Sequence, residues 1–364
     1  MVSLLVEQGA DINAKGGYNG NALYLACREK HMAVVDFLFE NSADVNARLT
    51  SGDTALIAAS LAGHLDAAQL LIGKGANINL QNESGETALF RASQNGHKEI
   101  VKILIQGGAD VNLQNKSKVT ALLGASGCGY NEIVDILLQN GADVNLQDIS
   151  GETALFVAFR SGSRKVVQVL VKAEIDIEVK GNHQRTALLQ AAERGWEDIV
   201  QILIDEGADL DSVDADQQTA LLIASRLNLV GVVRILLASG ANRLEAALST
   251  AFIYGREDVL QLLLKQASRS QQRTAVQMLF RDVDVAGVYP PRGVHDYALS
   301  FVCSFGLEES VEILLEEGAK FKIPAEIYDR ALELVGSRKY LPPHKYEAIA
   351  KLLRERIAIT VLVD

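Results

Sequence analysis

The sequence predicts an all-α fold, a solenoid of stacked helix-turn-helix units, and three observations support it. The triplet Thr-Ala-Leu recurs six times with a constant spacing of 33 residues. Each copy opens with turn-forming residues and continues into two short apolar stretches of helical spacing, which glycine separates in five of the six copies. Hydrophobic residues make up 48% of the chain but aromatic residues only 5%, which suits thin cores of small aliphatic side chains. The triplets begin at Thr54, Thr87, Thr120, Thr153, Thr186 and Thr219.

The segment 82–114 shows how one unit is built. Residues 82–85 have turn chemistry, and Thr87 is placed to cap a first helix that ends at Gly96. A second helix is expected from about Lys98, because apolar residues then follow at i, i+1, i+4 and i+5 and a glycine pair ends the run. Each element therefore follows from local residue chemistry.

Two further motifs are in register with the triplet: Gly-His-x-x-Ile-Val and Gly-Ala-Asp-Val-Asn. With the period, they resemble the ankyrin repeat family, closely over residues 1–242 and loosely beyond. The resemblance implies an ankyrin-repeat solenoid with short β-hairpin-like fingers, in which the finger tips and the first helices line a concave face that meets a partner. The family's Thr-Pro-Leu-His corner is altered, since Ala88 and Phe90 replace Pro and His. We expect the same fold, because Ala is a good helix former.

The repeat pattern divides the chain into three predicted regions. Residues 1–15 align with the second helix of a partial repeat, so we expect a piece of a longer protein or a trimmed start. Residues 16–242 hold seven regular 33-residue repeats, the first marked by Asn-Ala-Leu in place of Thr-Ala-Leu. Residues 243–364 are interpreted as degenerate repeats with an insertion at 268–296 and a C-terminal cap.

Three segments depart from the regular pattern. Lys118 replaces the turn glycine of the fourth repeat. The glycine-rich run 124–129 is expected to weaken the first helix of that repeat by up to about 1 kcal/mol per glycine and to make it a flexible point. The closing residues 357–363 are apolar and β-prone, so we expect them to pack on the last helices or to continue into further sequence.

Charge and cysteine content restrict the possible partners and the compartment. A net charge of −11 argues against nucleic acid as the main partner. Cys27, Cys128 and Cys303 lack the spacing of a disulfide framework or a zinc site, which indicates a reducing compartment. The apolar runs are too short to span a membrane. We predict a cytoplasmic protein, with a nuclear location as the alternative.

Residues that could carry chemistry have structural interpretations. His31, His64 and His97 share one repeat position, where the resemblance implies a structural role, and Trp196 takes that position in a later repeat as a packed lid rather than a binding anchor. The other histidines lack a neighbouring nucleophile or carboxylate at a spacing that names a mechanism. Asp-Val-Asn and Asp-x-Asp runs resemble calcium loops but recur at the hairpin tips, and Asp282-Val283-Asp284 lacks the glycine and the terminal glutamate of such a loop. The sequence predicts no catalytic residue, metal or cofactor.

The leading functional hypothesis is a non-catalytic scaffold that binds another protein or peptide on its concave face, as part of a larger protein. Arg and Tyr are frequent binding hot spots. Arginines from the fifth to the seventh repeats suit an acidic peptide or domain. The predicted partner-binding residues are Tyr18, Arg28, Arg48, Arg160, Arg185, Arg194, Arg226 and Tyr254.

The competing hypothesis is an enzyme or a small-molecule binder with a pocket in the irregular C-terminal third. Loops that interrupt a regular scaffold often carry function. A deep pocket with a second polar group close to His295 would favour this alternative. The residues expected to form the pocket are Tyr254, Tyr289, Arg292, His295, Asp296 and Tyr297.

Overall fold

The described part of the chain is helical and forms two compact units. The computed structural model describes residues 10–14, 21–173, 175–181, 184–280, 298–299, 302–303, 307–320, 325–337 and 343–363. Over these ranges the regular structure is helix and no strand occurs, so the predicted all-α class is confirmed, whereas the fingers are hydrogen-bonded turns rather than β-hairpins. We call Met1–Asn182 the N-terminal unit and His183–Asp364 the C-terminal unit.

The N-terminal unit contains a series of helix pairs in which first helices pack on first helices and second helices pack on second helices. Its pairs are α1 (Ala22–Arg28) and α2 (Met32–Glu40), α3 (Ala55–Ala62) and α4 (Leu65–Gly73), α5 (Ala88–Gln94) and α6 (Lys98–Gln106), α7 (Ala121–Cys128) and α8 (Asn131–Gln139), and α9 (Ala154–Ser161) and α10 (Arg164–Val171).

The C-terminal unit begins with the same arrangement and ends with longer helices. Its helices are α11 (Ala187–Arg194), α12 (Glu197–Asp205), α13 (Ala220–Arg226), α14 (Val230–Ala238), α15 (Leu244–Ile253), α16 (Glu257–Gln266), α17 (Arg269–Phe280), α18 (Glu308–Lys320), α19 (Ala325–Ser337) and α20 (Pro343–Val363). Among the described residues, every helix is too short or too polar to cross a membrane.

Capping threonines start most of the first helices. The Thr87 hydroxyl accepts a hydrogen bond from the Phe90 N–H at 3.1 Å, and so satisfies a backbone donor that the helix leaves free. Asn21 does the same for the N–H of Tyr24 at 2.7 Å. The predicted cap is thus confirmed for Thr87. The other first helices with a threonine side-chain cap begin after Thr54, Thr120, Thr186 and Thr219.

The recurring histidines join one repeat to the repeat before it. His64 Nε2 donates to the Arg28 carbonyl at 2.9 Å, and His97 Nε2 donates to the Leu61 carbonyl at 3.1 Å. The His97 ring lies so close to Gly63 that a Cβ on this glycine would come within 2.5 Å of it. The structural role predicted for the recurring histidine is confirmed at His64 and His97.

The Asp-x-Asn runs form a ladder of side-chain hydrogen bonds between repeats. The Asn112 Oδ1 atom accepts from the Asp143 N–H at 2.8 Å, and its Nδ2 donates to the Gly141 carbonyl at 3.0 Å. Asp110 Oδ1 accepts from the Asn112 N–H at 2.9 Å. The same asparagine-to-backbone step occurs at Asn13, Asn46, Asn79 and Asn145. These oxygens are occupied by backbone donors, which explains the motif without calcium.

Two findings concern the end of the chain. Helix α17 lies within the segment that the repeat spacing marks as an insertion, and it packs against α15 and α18. Helix α20 continues to Val363, so the β-prone expectation for residues 357–363 is wrong. Extending an existing helix adds one hydrogen bond for each residue fixed, and the buried Ile349 and Leu353 anchor the helix upstream.

Candidate partner-binding site

The fingers of the N-terminal unit are the turns at residues 49–53, 82–86, 115–119 and 148–152, and each is shaped by its own side chains. Asn82 Oδ1 accepts hydrogen bonds from the N–H groups of Ser84 at 3.0 Å and Glu86 at 2.9 Å. Such a side-chain turn fixes the loop without a strand ladder. Equivalent turns form at Asn115 and Asp148, and at Asp214 in the C-terminal unit.

Neighbouring fingers are tied together by backbone hydrogen bonds. The N–H of Glu83 donates to the carbonyl of Ser51 at 2.8 Å, and that of Lys116 to the carbonyl of Ser84 at 2.9 Å. Each finger is therefore fixed relative to the next in the N-terminal unit, which gives a pre-formed surface.

Arg48 reinforces this finger ladder. Gln81 Nε2 donates to the Gln114 carbonyl at 2.9 Å, and Gln114 Nε2 to the Gln147 carbonyl at 3.3 Å. Arg48 occupies the equivalent position one repeat earlier, and its Nη2 donates to the Gln81 carbonyl at 2.5 Å. The side chain is exposed, but its guanidinium already has a structural partner.

Two predicted arginines form ion pairs of opposite orientation at one pair of repeat positions. Arg160, at the end of α9, pairs with Glu152 at the base of its finger; its side chain is 65% exposed, whereas that of Glu152 is 7% exposed. In the following repeat the charges are reversed, and Arg185 Nη1 lies 2.5 Å from Glu193 Oε2. Arg185 Nε also lies 3.6 Å from the buried Asp214 carboxylate.

Arg28 and Arg194 contact neighbouring side chains of their own repeats. Arg28 Nε lies 2.9 Å from Glu29 Oε1, and this hydrogen bond raises the pKa of the Arg28 guanidinium. The Arg28 guanidinium also lies 5.8 Å from the centre of the Tyr24 ring. The Arg194 guanidinium lies 5.3 Å from the centre of the Trp196 ring, within the range of a cation–π contact.

Arg226 and Tyr254 are half-buried at the ends of α13 and α15. The Arg226 carbonyl accepts a hydrogen bond from Arg256 Nε at 2.6 Å. Arg256 in the C-terminal unit and His64 in the N-terminal unit thus have the same role: each donates to the carbonyl at the end of the preceding first helix, although the repeat spacing has changed. Tyr18 lies outside the described residues.

The predicted residues fall on two kinds of position and in both units. Arg28, Arg160 and Arg226 end first helices at one repeat position, because their numbers differ by multiples of 33. Arg48 and Arg185 belong to the finger side. Arg28, Arg48, Arg160 and Arg185 each contact their own or the adjacent repeat, whereas the buried Arg226 Nε has no hydrogen-bond partner among the described residues.

Three exposed side chains at the tips of two adjacent fingers lie outside the predicted set of partner-binding residues. Lys116 and Lys118 are exposed on the finger of the fourth repeat. Ile149, on the finger of the fifth repeat, is 67% exposed. The sequence pattern already places both lysines on a finger, and Lys118 replaces a turn glycine, whereas the exposure of Ile149 is visible only in the structure.

The alternative pocket depends largely on residues outside the described part of the chain: Tyr289, Arg292, His295, Asp296 and Tyr297. A cavity between α15, α16, α17 and α18 has a volume of about 10 Å³, no more than the least that one water molecule needs. Gln272 and Ser310 line it, and they bond each other at 2.8 Å. Tyr254 is not among its lining residues.

Comparison with protein families gives matches along much of the chain. A family model described as "Ankyrin repeats (3 copies)" matches residues 46–115, 89–181 and 176–244. A model described as "Ankyrin repeat" matches residues 19–48. Together these matches cover more than half of the 364 residues. No curated protein matches the chain.

Proposed function

This chain belongs to the ankyrin-repeat family, and we propose that it is a non-catalytic scaffold that binds a partner protein on the face formed by its fingers and first helices. Ankyrin repeats are generally protein–protein interaction modules. In the family this face is concave, and we infer that it accepts an acidic peptide or domain here. The proposal assigns no catalytic residue and no cofactor.

The contrast between packing positions and surface positions carries the proposal. At the capping position six of seven repeats have threonine, and the seventh has Asn21. By contrast, the position at the end of the first helix varies among arginine, leucine, glutamine, glycine and glutamate. The fingers of the N-terminal unit are already joined by hydrogen bonds, so docking would order few groups. A constant frame with a varied surface suits recognition of a specific partner.

We propose that the eight predicted residues contribute unequally. Arg160 and Arg185 would have to leave the buried carboxylates of Glu152 and Asp214 for one of the partner, which carries a cost, so their net contribution to binding is small. Arg194 has no carboxylate partner of this kind among the described residues, and with Trp196 it presents a flat cationic surface suited to a hot spot. Arg28, Arg48, Arg226, Tyr18 and Tyr254 complete the proposed set.

The test is capture of a partner by the full chain, followed by substitution of four arginines. In the test variant Arg160, Arg185, Arg194 and Arg226 are changed to Ala. The control removes the same number of charges from exposed cations of the second helices and their ends, Lys165, Lys172, Arg234 and Lys265. Photocrosslinking from finger positions would then identify the contact surface.

We expect the test variant to lose the partner and the control to keep it, with both variants folded by circular dichroism. Since Arg160 and Arg185 pair internally, a second test variant carries lysine at all four positions and preserves charge. If the test and control variants lose partner binding equally, or if crosslinks are confined to the second helices, the proposed binding face is contradicted.

We also propose that the protein works in a reducing compartment, the cytoplasm or the nucleus. The three cysteines support this, because all are free and two of them are buried. Imaging of a fluorescent fusion of the full chain tests this location, and secretion would contradict it.

A further inference from the structure

Lys116, Lys118 and Ile149 occupy the tips of two joined fingers in the N-terminal unit. We propose that they form a docking point for an acidic peptide segment that carries an apolar side chain. This inference rests on the proposed scaffold function and deepens it, because it names a part of the surface and the chemistry of the partner. It also adds two lysines to the arginines as expected contacts of an acidic partner.

The lysines differ from three of the predicted arginines in that no carboxylate of the described residues is paired with them. Both side chains are exposed, and neither forms an ion pair with any described residue. Arg28, Arg160 and Arg185 each have a carboxylate at hand. An acidic partner can therefore approach the lysines without breaking an existing ion pair, which makes them the better electrostatic target.

Ile149 supplies an apolar contact beside these charges. At 67% exposure it is the most exposed large hydrophobic side chain of the described residues. Its N–H donates to the Ser117 carbonyl at 3.1 Å, which places it next to the fourth finger. Gln114 Nε2 binds the carbonyls of Lys118 at 3.0 Å and Gln147 at 3.3 Å, so both fingers are held together.

Lys118 adopts a backbone conformation that favours glycine. Its φ is +57°, and the equivalent residues Gly52, Gly85 and Gly151 have φ of +77° to +79°. Gln184 and Gln217 adopt the same region in the C-terminal unit, so a side chain is accepted there at some strain. The substitution Lys118→Gly has two effects that different measurements report. It relieves the backbone strain, which changes stability, and it removes the charge, which changes peptide binding.

The observations favour a peptide over a nucleic acid. The chain carries a net charge of −11, and two lysines offer fewer phosphate contacts than nucleic acid binding generally uses. An exposed isoleucine on the finger next to two cations fits a leucine or phenylalanine near carboxylates. The partner class is thus an acidic segment with at least one apolar residue.

The test uses the full chain and two labelled peptides, one of four Asp-Glu-Leu triplets and one of four Asp-Glu-Ser triplets, with binding followed by fluorescence anisotropy. We expect the leucine peptide to bind better than the serine peptide. The double substitution Lys116→Glu and Lys118→Glu should lower the affinity for both peptides by about tenfold or more. Ile149→Ser should lower the affinity for the leucine peptide and leave the affinity for the serine peptide unchanged.

The matched control is the pair Lys165→Glu and Lys172→Glu, which makes the same charge change at and beyond α10. We expect it to leave binding nearly unchanged. If the control lowers peptide affinity as much as the double substitution on the finger does, the peptides respond only to the net charge of the protein and the proposal is wrong. Absence of leucine-peptide binding to the full chain overturns it as well.

Lys118→Gly gives an independent readout. We expect a higher Tm, because the left-handed backbone is relieved, together with weaker peptide binding. A higher Tm with unchanged binding would show that Lys118 has no contact role. If a protein captured by the full chain is retained by all finger variants, the scaffold proposal stands and this docking point does not.

Discussion

Thr87 and Ser93 lie at the start and near the end of one first helix, and their hydroxyl groups differ in hydrogen bonding. Thr87 caps the N–H of Phe90, whereas the buried Ser93 Oγ has no hydrogen-bond partner among the described residues. We predict that Thr87→Ala lowers the free energy of unfolding by about 1 kcal/mol. Ser93→Ala should be neutral or raise it by up to about 1 kcal/mol, since a buried unpaired hydroxyl carries a desolvation cost. Urea denaturation of the two variants measures both effects.

The same position in other repeats supports the expectation for Ser93. Ser60, Ser126 and Ser225 are likewise buried without a hydroxyl partner among the described residues, and Phe159 and Ala192 take the position elsewhere. The hydroxyl is therefore dispensable for the helix. A loss of more than about 1 kcal/mol in Ser93→Ala would contradict this reading and point to an ordered water on Oγ.

The three thiols are predicted to differ in reactivity. Burial raises the pKa of the Cys27 and Cys303 thiols to about 12, whereas Cys128 is exposed at the end of α7. The thiolate is the reactive form, so at pH 8 an aromatic disulfide reagent should label Cys128 alone in the native chain and all three thiols in denaturant. Fast native labelling of a second thiol would contradict the burial of Cys27 or Cys303.

Burial of the thiols also sets the direction of a pH effect. The folded chain holds these two protons up to about pH 12, whereas the unfolded chain releases them near the ordinary value of 9.0. Above that value the folded state binds more protons than the unfolded state. Stability should consequently fall as pH rises from 9.0 toward 12, and chemical denaturation across this range checks the sign.

Helix α7 contains two glycines with different surroundings. A Cβ at Gly124 would lie 3.4 Å from Phe90, an ordinary contact, whereas a Cβ at Gly127 would lie 2.9 Å from Val157 of α9. We predict that Gly124→Ala raises the free energy of unfolding by up to about 1 kcal/mol, because alanine favours helix. Gly127→Ala should lower it, because α9 must move away from α7. Urea denaturation of both variants separates helix propensity from packing.

A double variant checks the reason for the Gly127 effect. When Val157→Ala is added, the clash disappears, so the two substitutions together should cost less than the sum of their separate effects. Additive costs would mean that the contact with Val157 is not what requires glycine. On this account the glycine-rich run permits close helix packing, in addition to the low helix propensity that the sequence shows.

The elements were predictable where local chemistry decides them, and less so where distant residues meet. Thr87 and the turn glycines set helix starts and stops within a few residues, so the repeat unit could be derived from the sequence. The ion-pair partners of the arginines could not be derived in this way. Glu152 at the base of a finger and Arg160 at the end of the following helix pair although they are eight residues apart in the sequence. The prediction for residues 357–363 was wrong because it relied on their β-branched composition and did not consider that they continue the preceding helix, α20.

Coupling within the N-terminal unit is between neighbours. First helices contact the adjacent first helices, and the asparagine ladder links each repeat to the next one. In such an array, stability is close to a sum of repeat terms and nearest-neighbour terms. A local change should therefore spread to adjacent repeats and fade with distance along the stack.

Leu137→Ala in α8 tests this coupling by hydrogen exchange. Leu137 is fully buried, and truncating such a side chain costs about 2–5 kcal/mol. We expect amide protection to fall most in α7 and α8, less in α5, α6, α9 and α10, and least in α1 and α2, because two repeats separate those helices from the altered pair. A charge-neutral surface change in the same helix, Gln139→Ala, is the control and should leave exchange unchanged. Uniform loss of protection from Ala22 to Val171 would instead show that the N-terminal unit opens as one cooperative block, and nearest-neighbour coupling would be wrong.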